Sequence, residues 1–209
     1  MDLDSSKALG GVGALLMVIG PFLGAYTGVL GLVGLILVMI ALKGLSDHYS
    51  EEGIFNNALY GVILAIIGGV VSVAVIVMAA VDFLTAVGID ISTAWSDPTV
   101  FSSINWEQVV TWDILWPHIA AILGSLVVLF AFVVVASIFL RRSLTTLSAR
   151  TGVNMFNTAG LLLLIGAVLT IILVGLVLMW IAFILLAVGF FSIKTPITEQ
   201  PPVTPSSPS

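Results

Sequence analysis

The sequence predicts an all-α fold, a polytopic integral membrane helix bundle of about six transmembrane helices. Of its 209 residues, 60% are hydrophobic and only 8% are charged. A soluble domain carries roughly 25% charged residues, so this chain has too little polar surface to cover a water-soluble globule. Its apolar residues lie in long runs, and a helical span of the bilayer core needs about 20 of them.

The individual spans follow from these runs and from the length of a helix. The run Ala8–Leu42, taken as one helix, would be about 52 Å long, whereas a hydrocarbon core is about 30 Å thick. We therefore predict a turn at 24–27, just after the helix-disrupting Pro21. The run Ala159–Ile193 has the same excess length, and Gly175 is its predicted break. The six predicted spans are 8–23, 28–42, 58–81, 118–140, 156–174 and 176–193.

The basic residues predict the orientation of the spans, because short cytoplasmic loops are enriched in Lys and Arg. With the N terminus inside, six spans place every basic residue on the cytoplasmic side of a cell membrane, with both termini cytoplasmic. The loop 82–117, which contains four of the five tryptophans, then lies outside. Trp180 lies where an outer aromatic belt is expected. The six basic residues are Lys7, Lys43, Arg141, Arg142, Arg150 and Lys194.

The two ends of the chain differ in their expected structure. The first apolar run resembles a secretory signal, but Asp2 and Asp4 outweigh Lys7 ahead of it, and no convincing cleavage site follows. We therefore expect a retained helix. The tail 194–209 is rich in Pro, Ser and Thr, and we expect it to stay disordered in the cytoplasm.

A short motif recurs at the two predicted cytoplasmic loops. Phe55-Asn56-Asn57-Ala58 lies at the start of the third span, and Phe156-Asn157-Thr158-Ala159 lies at the start of the fifth. Ile19-Gly20 similarly resembles Ile165-Gly166. Because the paired segments cross the membrane in the same direction, we predict a weak internal parallel repeat, related by an axis near the membrane normal.

The motif supplies the candidate site residues, and it has two interpretations. In the first, the two copies form related polar sites that face a common entrance. In the second, Asn accepts hydrogen bonds from unpaired backbone N–H groups at a helix start, while Phe packs on the first turn. We prefer the second interpretation, helix capping. The candidates are Phe55, Asn56, Asn57, Phe156 and Asn157.

Small residues form a candidate packing face on the third span. Gly61, Ala65 and Gly69 recur every fourth residue, with Gly68 and Ser72 beside them. Residues four apart share one helix face, and small side chains let two backbones approach closely. We predict that this face contacts another helix, either inside one bundle or between two copies. A channel lining is the alternative.

Residues suited to catalysis or metal binding are nearly absent. The chain has no cysteine, and its two histidines, His48 and His118, are predicted on opposite sides of the membrane. No charged residue lies in the middle of a span, which counts against proton relays and ion-coupled carriers. We predict no catalytic, cofactor-binding or metal site. Five carboxylates of the outer loop match no calcium-loop spacing, and we expect them to face solvent: Asp82, Asp90, Asp97, Glu107 and Asp113.

Three segments carry a resemblance to a known family. They are the opening stretch 7–14, Ala-Leu-Lys-Gly-Leu-Ser-Asp at 41–47, and Gly-Ile-Phe-Asn-Asn-Ala at 53–58. The chain resembles an archaeal family of small multi-pass membrane proteins classed as domain of unknown function 996. The resemblance covers roughly the membrane part, and it implies an archaeal cell membrane. It transfers no catalytic residue.

These observations predict a non-enzymatic membrane scaffold or assembly factor that uses no cofactor. Its expected partners are the lipid bilayer and either a second copy or another membrane protein, and not nucleic acid. The alternative is a passive facilitator or transporter of lipids or small uncharged solutes. Flux across liposomes separates the two.

Overall fold

A computed structural model describes residues 1–103 and 105–194, and it confirms the all-α helix bundle. Within these residues, six helices are long and apolar enough to cross a membrane. Two short helices, α4 (Ile91–Ser96) and α5 (Trp106–Val109), lie between the third and fourth of them. The predicted tail lies outside the described residues beyond Lys194. The six long helices are α1 (Leu3–Ile19), α2 (Thr27–His48), α3 (Glu52–Ala86), α6 (Trp112–Thr151), α7 (Asn154–Leu169) and α8 (Val174–Phe191).

The long helices pack as a closed ring. Three antiparallel hairpins, α1–α2, α3–α6 and α7–α8, are joined by contacts of α6 with α7, of α1 with α8 and, less extensively, of α2 with α3. This order brings the α2–α3 and α6–α7 turns to one end of the bundle, together with the six basic residues. We call it the basic end. The opposite end, with the α1–α2 and α7–α8 turns and the segments 87–103 and 105–111, is the far end.

The two turns at the far end have different local causes. Between α1 and α2 the chain makes two 3-10 turns, Gly20–Phe22 and Gly24–Tyr26, and the first residue of the second turn has a left-handed φ of 55°. The break between α7 and α8 falls at Leu173, whose φ is 60°, and not at Gly175 as predicted. Gly175 lies in the first turn of α8, where a side chain would collide with the Gly166 carbonyl oxygen. The glycine therefore permits close helix packing rather than the break.

The hydrophobic core lies mostly at the basic end. Its members come from the ends of α2, α6 and α8 and from the starts of α1, α3 and α7, which all meet there. The rings of Phe156 and Phe190 pack edge to face, with centroids 5.1 Å apart. The largest fully buried apolar side chains of this cluster are Leu45, Ile54, Leu147, Phe156 and Phe190.

The far end is open by comparison. With 35 and 40 residues, α3 and α6 are about 52 and 60 Å long, whereas the other four long helices have only 16 to 22 residues. The α3–α6 hairpin therefore extends past the α1–α2 and α7–α8 turns. Those turns expose apolar side chains, with Phe22 72% and Leu173 71% accessible.

The contact between α3 and α6 uses part of the predicted small-residue face. A side chain at Gly61 would lie 2.9 Å from the Ala136 carbonyl oxygen and from Leu140 Cγ, so α6 approaches the α3 backbone directly. Gly68 lies against Phe132 in the same way, and Ala65 is partly buried between these two glycines. We call this contact the α3–α6 seam.

Gly69 lies off the seam, so its predicted contact inside the bundle is wrong. A side chain at Gly69 would meet no atom within 4 Å. A seven-residue step returns to within about 20° of the same helix face, whereas two four-residue steps rotate about 80° past it. Gly61 and Gly68 therefore share the seam, and Gly69 faces outward. A contact of Gly69 with a second copy stays a prediction.

Candidate functional site

The candidate site is a pocket at the basic end, formed by the start of α3, the end of α6 and α7. Its volume is about 600 Å³. Of the residues that the sequence singled out, Asn57 lines it directly, and Asn157 is hydrogen-bonded to one of its walls. We call it the polar pocket. Its lining residues are Asn57, Ile138, Arg141, Arg142, Thr145, Thr146 and Leu164.

The capping interpretation of the motif is wrong. α3 begins at Glu52 and α7 at Asn154, so Asn56 is the fifth residue of its helix and Asn157 the fourth, and neither lies at a cap. Neither helix start has a hydrogen bond from a side-chain cap. The connecting turns are only a few residues long, and the polar residues just before each motif already belong to the helix. The prediction placed these residues in loops because they are polar.

The two copies of the motif also occupy different environments. Phe156 is fully buried against Phe190, whereas Phe55 is half-buried and lies 5.6 Å from the ammonium nitrogen of Lys43. Asn56 is exposed. The repeated letters therefore do not form two equivalent polar sites. The parallel repeat that they suggest stays a prediction.

The asparagines use part of their hydrogen-bonding capacity within the protein. Asn57 Nδ2 donates to the Gly53 carbonyl oxygen at 2.8 Å along α3. Thr145 Oγ1 donates to Asn157 Oδ1 at 3.2 Å, which joins α6 to α7 beside the pocket. Within the described residues, one N–H of Asn57 and the amide nitrogen of Asn157 stay free to donate to a ligand.

Arg141 and Arg142 determine the charge of the polar pocket. No carboxylate of the described chain lies within 4 Å of either guanidinium. The Arg142 guanidinium lies 5.9 Å from the ring of Phe139, which does not compensate its charge. Among the described residues, the pocket therefore carries two adjacent positive charges without a counter-ion. The ion pairs of the other basic residues from Lys7 to Arg150 are Lys7–Asp4, Lys43–Asp47 and Arg150–Glu51.

The pocket lies at the ends of the apolar runs of α3 and α6. Arg141 directly follows the apolar run 118–140, and Asn57 directly precedes the run 58–81. Ile138 and Leu164 form an apolar wall beside the polar one. If these runs cross the bilayer core, the pocket lies at the level where hydrocarbon meets the lipid headgroups.

A larger, apolar groove lies between α2 and α3, where the ring of helices is least closely packed. Its volume is about 910 Å³, and it is open to the surroundings. The ion pair Lys43–Asp47 lies at its basic end, and the rest of its lining is almost wholly apolar. We call it the α2–α3 groove. The side chains that line it include Met17, Leu32, Ile36, Met39, Phe55 and Leu59.

Two carboxylates of the segment between α3 and α6, Asp90 and Asp97, serve local structure. Asp90 caps α4 by accepting a hydrogen bond from the Ser92 backbone N–H, and Asp97 accepts one from the Thr99 backbone N–H. Hydrogen bonds from the Ser92 and Thr99 side chains and N–H groups lower the pKa of both carboxyls. Within the described residues, no three His, Asp or Glu side chains come together as a metal site would require.

Comparisons with known proteins identify a family and a relative of this chain. The family described as "Protein of unknown function (DUF996)" matches residues 30–184. An uncharacterised protein of Methanocaldococcus jannaschii is 30% identical over 200 residues, which cover 96% of this chain and 98% of that protein. No solved structure matches the chain. The family match includes every residue that lines the polar pocket.

Proposed function

We propose that this chain, which belongs to the archaeal DUF996 family of proteins of unknown function, is a non-enzymatic membrane scaffold or assembly factor. The family membership confirms the resemblance found in the sequence. The observation that carries the proposal is the uncovered far half of the α3–α6 hairpin. Assembly in a membrane requires a helix face that a neighbour can approach closely, and this hairpin has one.

The uncovered face is a shallow groove on α3 of about 720 Å³, which we call the outer α3 groove. Val70 and Met78, which line it, are 64% and 65% exposed. Gly69 and Ala74, which also line it, are small, and small residues allow the close backbone approach that drives helix association in lipid. Its lining residues are Ile66, Gly69, Val70, Val73, Ala74, Val77 and Met78.

The partners we propose are the lipid bilayer and either a second copy or another membrane protein. Nucleic acid is not among them, since the chain has a net charge of -5 and six basic residues. The chain offers a direct test because it has no cysteine. A cysteine at Val73 should form an intermolecular disulfide in oxidised membranes when two copies meet at the outer α3 groove. A mixed adduct of defined size indicates another protein.

The matched control is Val127→Cys on α6, since Val73 and Val127 are 60% and 66% exposed. Both positions lie in apolar helical runs, so random collision links them equally. Crosslinking of Val73→Cys well above Val127→Cys supports the scaffold. Equal crosslinking of the two, or none, contradicts an assembly role for the outer α3 groove.

The α2–α3 groove favours a second candidate function, a facilitator of lipids or small uncharged solutes. Its apolar lining suits hydrocarbon, and its paired Lys43 and Asp47 suit a zwitterionic headgroup at one end. Purified protein in liposomes tests this candidate. Accelerated lipid scrambling or solute leak supports a facilitator and contradicts the scaffold, whereas stable co-purification with one partner and no flux favours the scaffold. A reproducible turnover lost on changing one polar residue would contradict the non-enzymatic part.

We also propose that both termini face the cytoplasm and that the α3–α6 connection faces outside. Single cysteines treated with an impermeant thiol reagent on intact cells test this orientation. A cysteine at Ser96 should be labelled, and one at Ser148 or at the exposed Ala149 should be spared. Ser206, in the tail, lies outside the described residues, and a cysteine there should also be spared. Labelling at Ser206 without labelling at Ser96 reverses the orientation.

A further inference from the structure

We infer that the polar pocket binds the phosphate group of an anionic lipid, with a hydrocarbon chain of the same lipid against the Ile138 and Leu164 wall. This inference needs the membrane location but neither of the proposed functions. It rests on three properties of the pocket: its unpaired charge, its hydrogen-bond donors and its graded polarity.

The unpaired charge is not explained by membrane orientation alone. The enrichment of Lys and Arg in cytoplasmic loops concerns the side of the membrane on which they lie, and a paired cation fulfils it as well as an unpaired one. Lys43 and Arg150, at the same end, have carboxylate partners. Arg141 and Arg142 have none within the described residues, although they are adjacent in sequence and repel each other. A bound anion relieves this repulsion.

The donors match the geometry of a phosphate. An arginine guanidinium is planar and presents five N–H groups, two of which can contact two phosphate oxygens at once. The Cα and Cγ atoms of Arg141 pack over Gly160 of α7, 3.2 and 3.5 Å from where a Cβ would be, which fixes the base of the side chain beside the pocket. Asn57 and Asn157 supply neutral donors on either side of α6.

The graded polarity favours a lipid over a soluble phosphate. A free phosphate ion gains nothing from the apolar side chains of Ile138 and Leu164, which form the wall toward the apolar runs. In a lipid, the charged headgroup can face the polar wall while the attached hydrocarbon chain lies against the apolar wall. The pocket also lies where each apolar run ends, which is the depth of a lipid phosphate.

Native mass spectrometry of the purified full chain in a mild detergent tests the inference. The protein is titrated with phosphatidylglycerol, which is anionic, or with phosphatidylcholine, which is zwitterionic. We expect Arg141→Gln to weaken phosphatidylglycerol binding about fivefold, and the double variant R141Q/R142Q to weaken it about thirtyfold. Phosphatidylcholine binding should not change. The matched control is Arg150→Gln, which removes one positive charge from the same end but leaves this pocket intact.

Two results overturn the inference. Retention of phosphatidylglycerol by R141Q/R142Q at the level of the parent rules out the pocket as the site. Equal competition by inorganic phosphate and by a short-chain phosphatidylglycerol shows a free-anion site and rules out the lipid. Should the double variant not fold, Asn57→Asp replaces it, because this nearly isosteric change adds a negative charge and leaves both arginines in place. It should also lower phosphatidylglycerol binding, and unchanged binding contradicts the inference.

Discussion

The basic end and the far end of this bundle are packed in different ways. At the basic end, all six long helices meet around large buried side chains such as Phe156 and Phe190. At the far end, the buried residues of α3 are small, such as Ser72 and Ala79, and large ones such as Val70 are exposed.

The difference shows where burial stabilises a membrane protein. In the bilayer core, lipid chains are as apolar as valine, so an exposed valine costs nothing and helices associate only through close packing and hydrogen bonds. At the basic end, the helix ends approach water and the charged headgroups, so the burial of apolar surface again stabilises the fold. The same side chains therefore contribute differently at the two ends.

The largest expected difference comes from one phenylalanine at each end. Phe156→Ala removes a fully buried ring and should lower the free energy of unfolding by about 3 kcal/mol. Phe22→Ala, at a position 72% exposed, loses an edge contact with Trp180 and should cost below about 1 kcal/mol. Reversible unfolding in mixed micelles measures both. Equal losses would remove the distinction between the two ends.

The next comparison concerns two glycines of α3. Gly61→Leu inserts bulk between α3 and α6 and should cost about 2 kcal/mol, whereas Gly69→Leu enters open space and should leave the stability of one chain unchanged. Thermal stability and particle size in a mild detergent are measured together. A smaller particle for Gly69→Leu, with unchanged chain stability, places Gly69 between copies. Equal destabilisation by both variants contradicts the seven-residue seam.

Two serine hydrogen bonds show what the ends have in common. Ser143 Oγ donates to the Ile54 carbonyl oxygen near the basic end, and Ser72 Oγ donates to the Ser125 carbonyl oxygen at 3.1 Å toward the far end. Each Ser→Ala change should cost about 1 kcal/mol, because both bonds cross the seam away from water. The same micelle titration applies. A cost for Ser143→Ala alone would mean that the seam holds only near the basic end.

The smallest expected effect comes from the ion pair between Arg150 and Glu51, which are 52% and 29% exposed. Glu51→Gln should cost at most about 0.5 kcal/mol, and less at high salt, because solvent and ions screen an exposed pair. Thermal melting at low and high salt detects it. A large cost that persists at high salt would mean that this pair is a main anchor of the basic end.

Parts of this fold could be predicted because composition and length decide them. A chain with 8% charged residues and apolar runs too long for one span has to form several membrane helices, and the positions of its basic residues predict which helix ends share one side of the membrane. The candidate site was less predictable. The repeated motif identified Asn57 and Asn157 as candidates. The arginines of the polar pocket, by contrast, indicated only the orientation of the helices in the membrane.

The sequence by itself determined the all-α class, the six apolar helices and the gathering of basic residues at one end. The tertiary structure decided where the chain breaks between α7 and α8, which glycines lie on the α3–α6 seam and which arginines have no carboxylate partner among the described residues. The physical reason is that hydropathy and charge sum over residues along the chain. Close packing and ion pairing depend on the rotation of each helix about its axis, and a shift of one residue turns that face by about 100°. Gly61 and Gly69 look alike in the sequence, and only the packed bundle shows that one contacts α6 and the other does not.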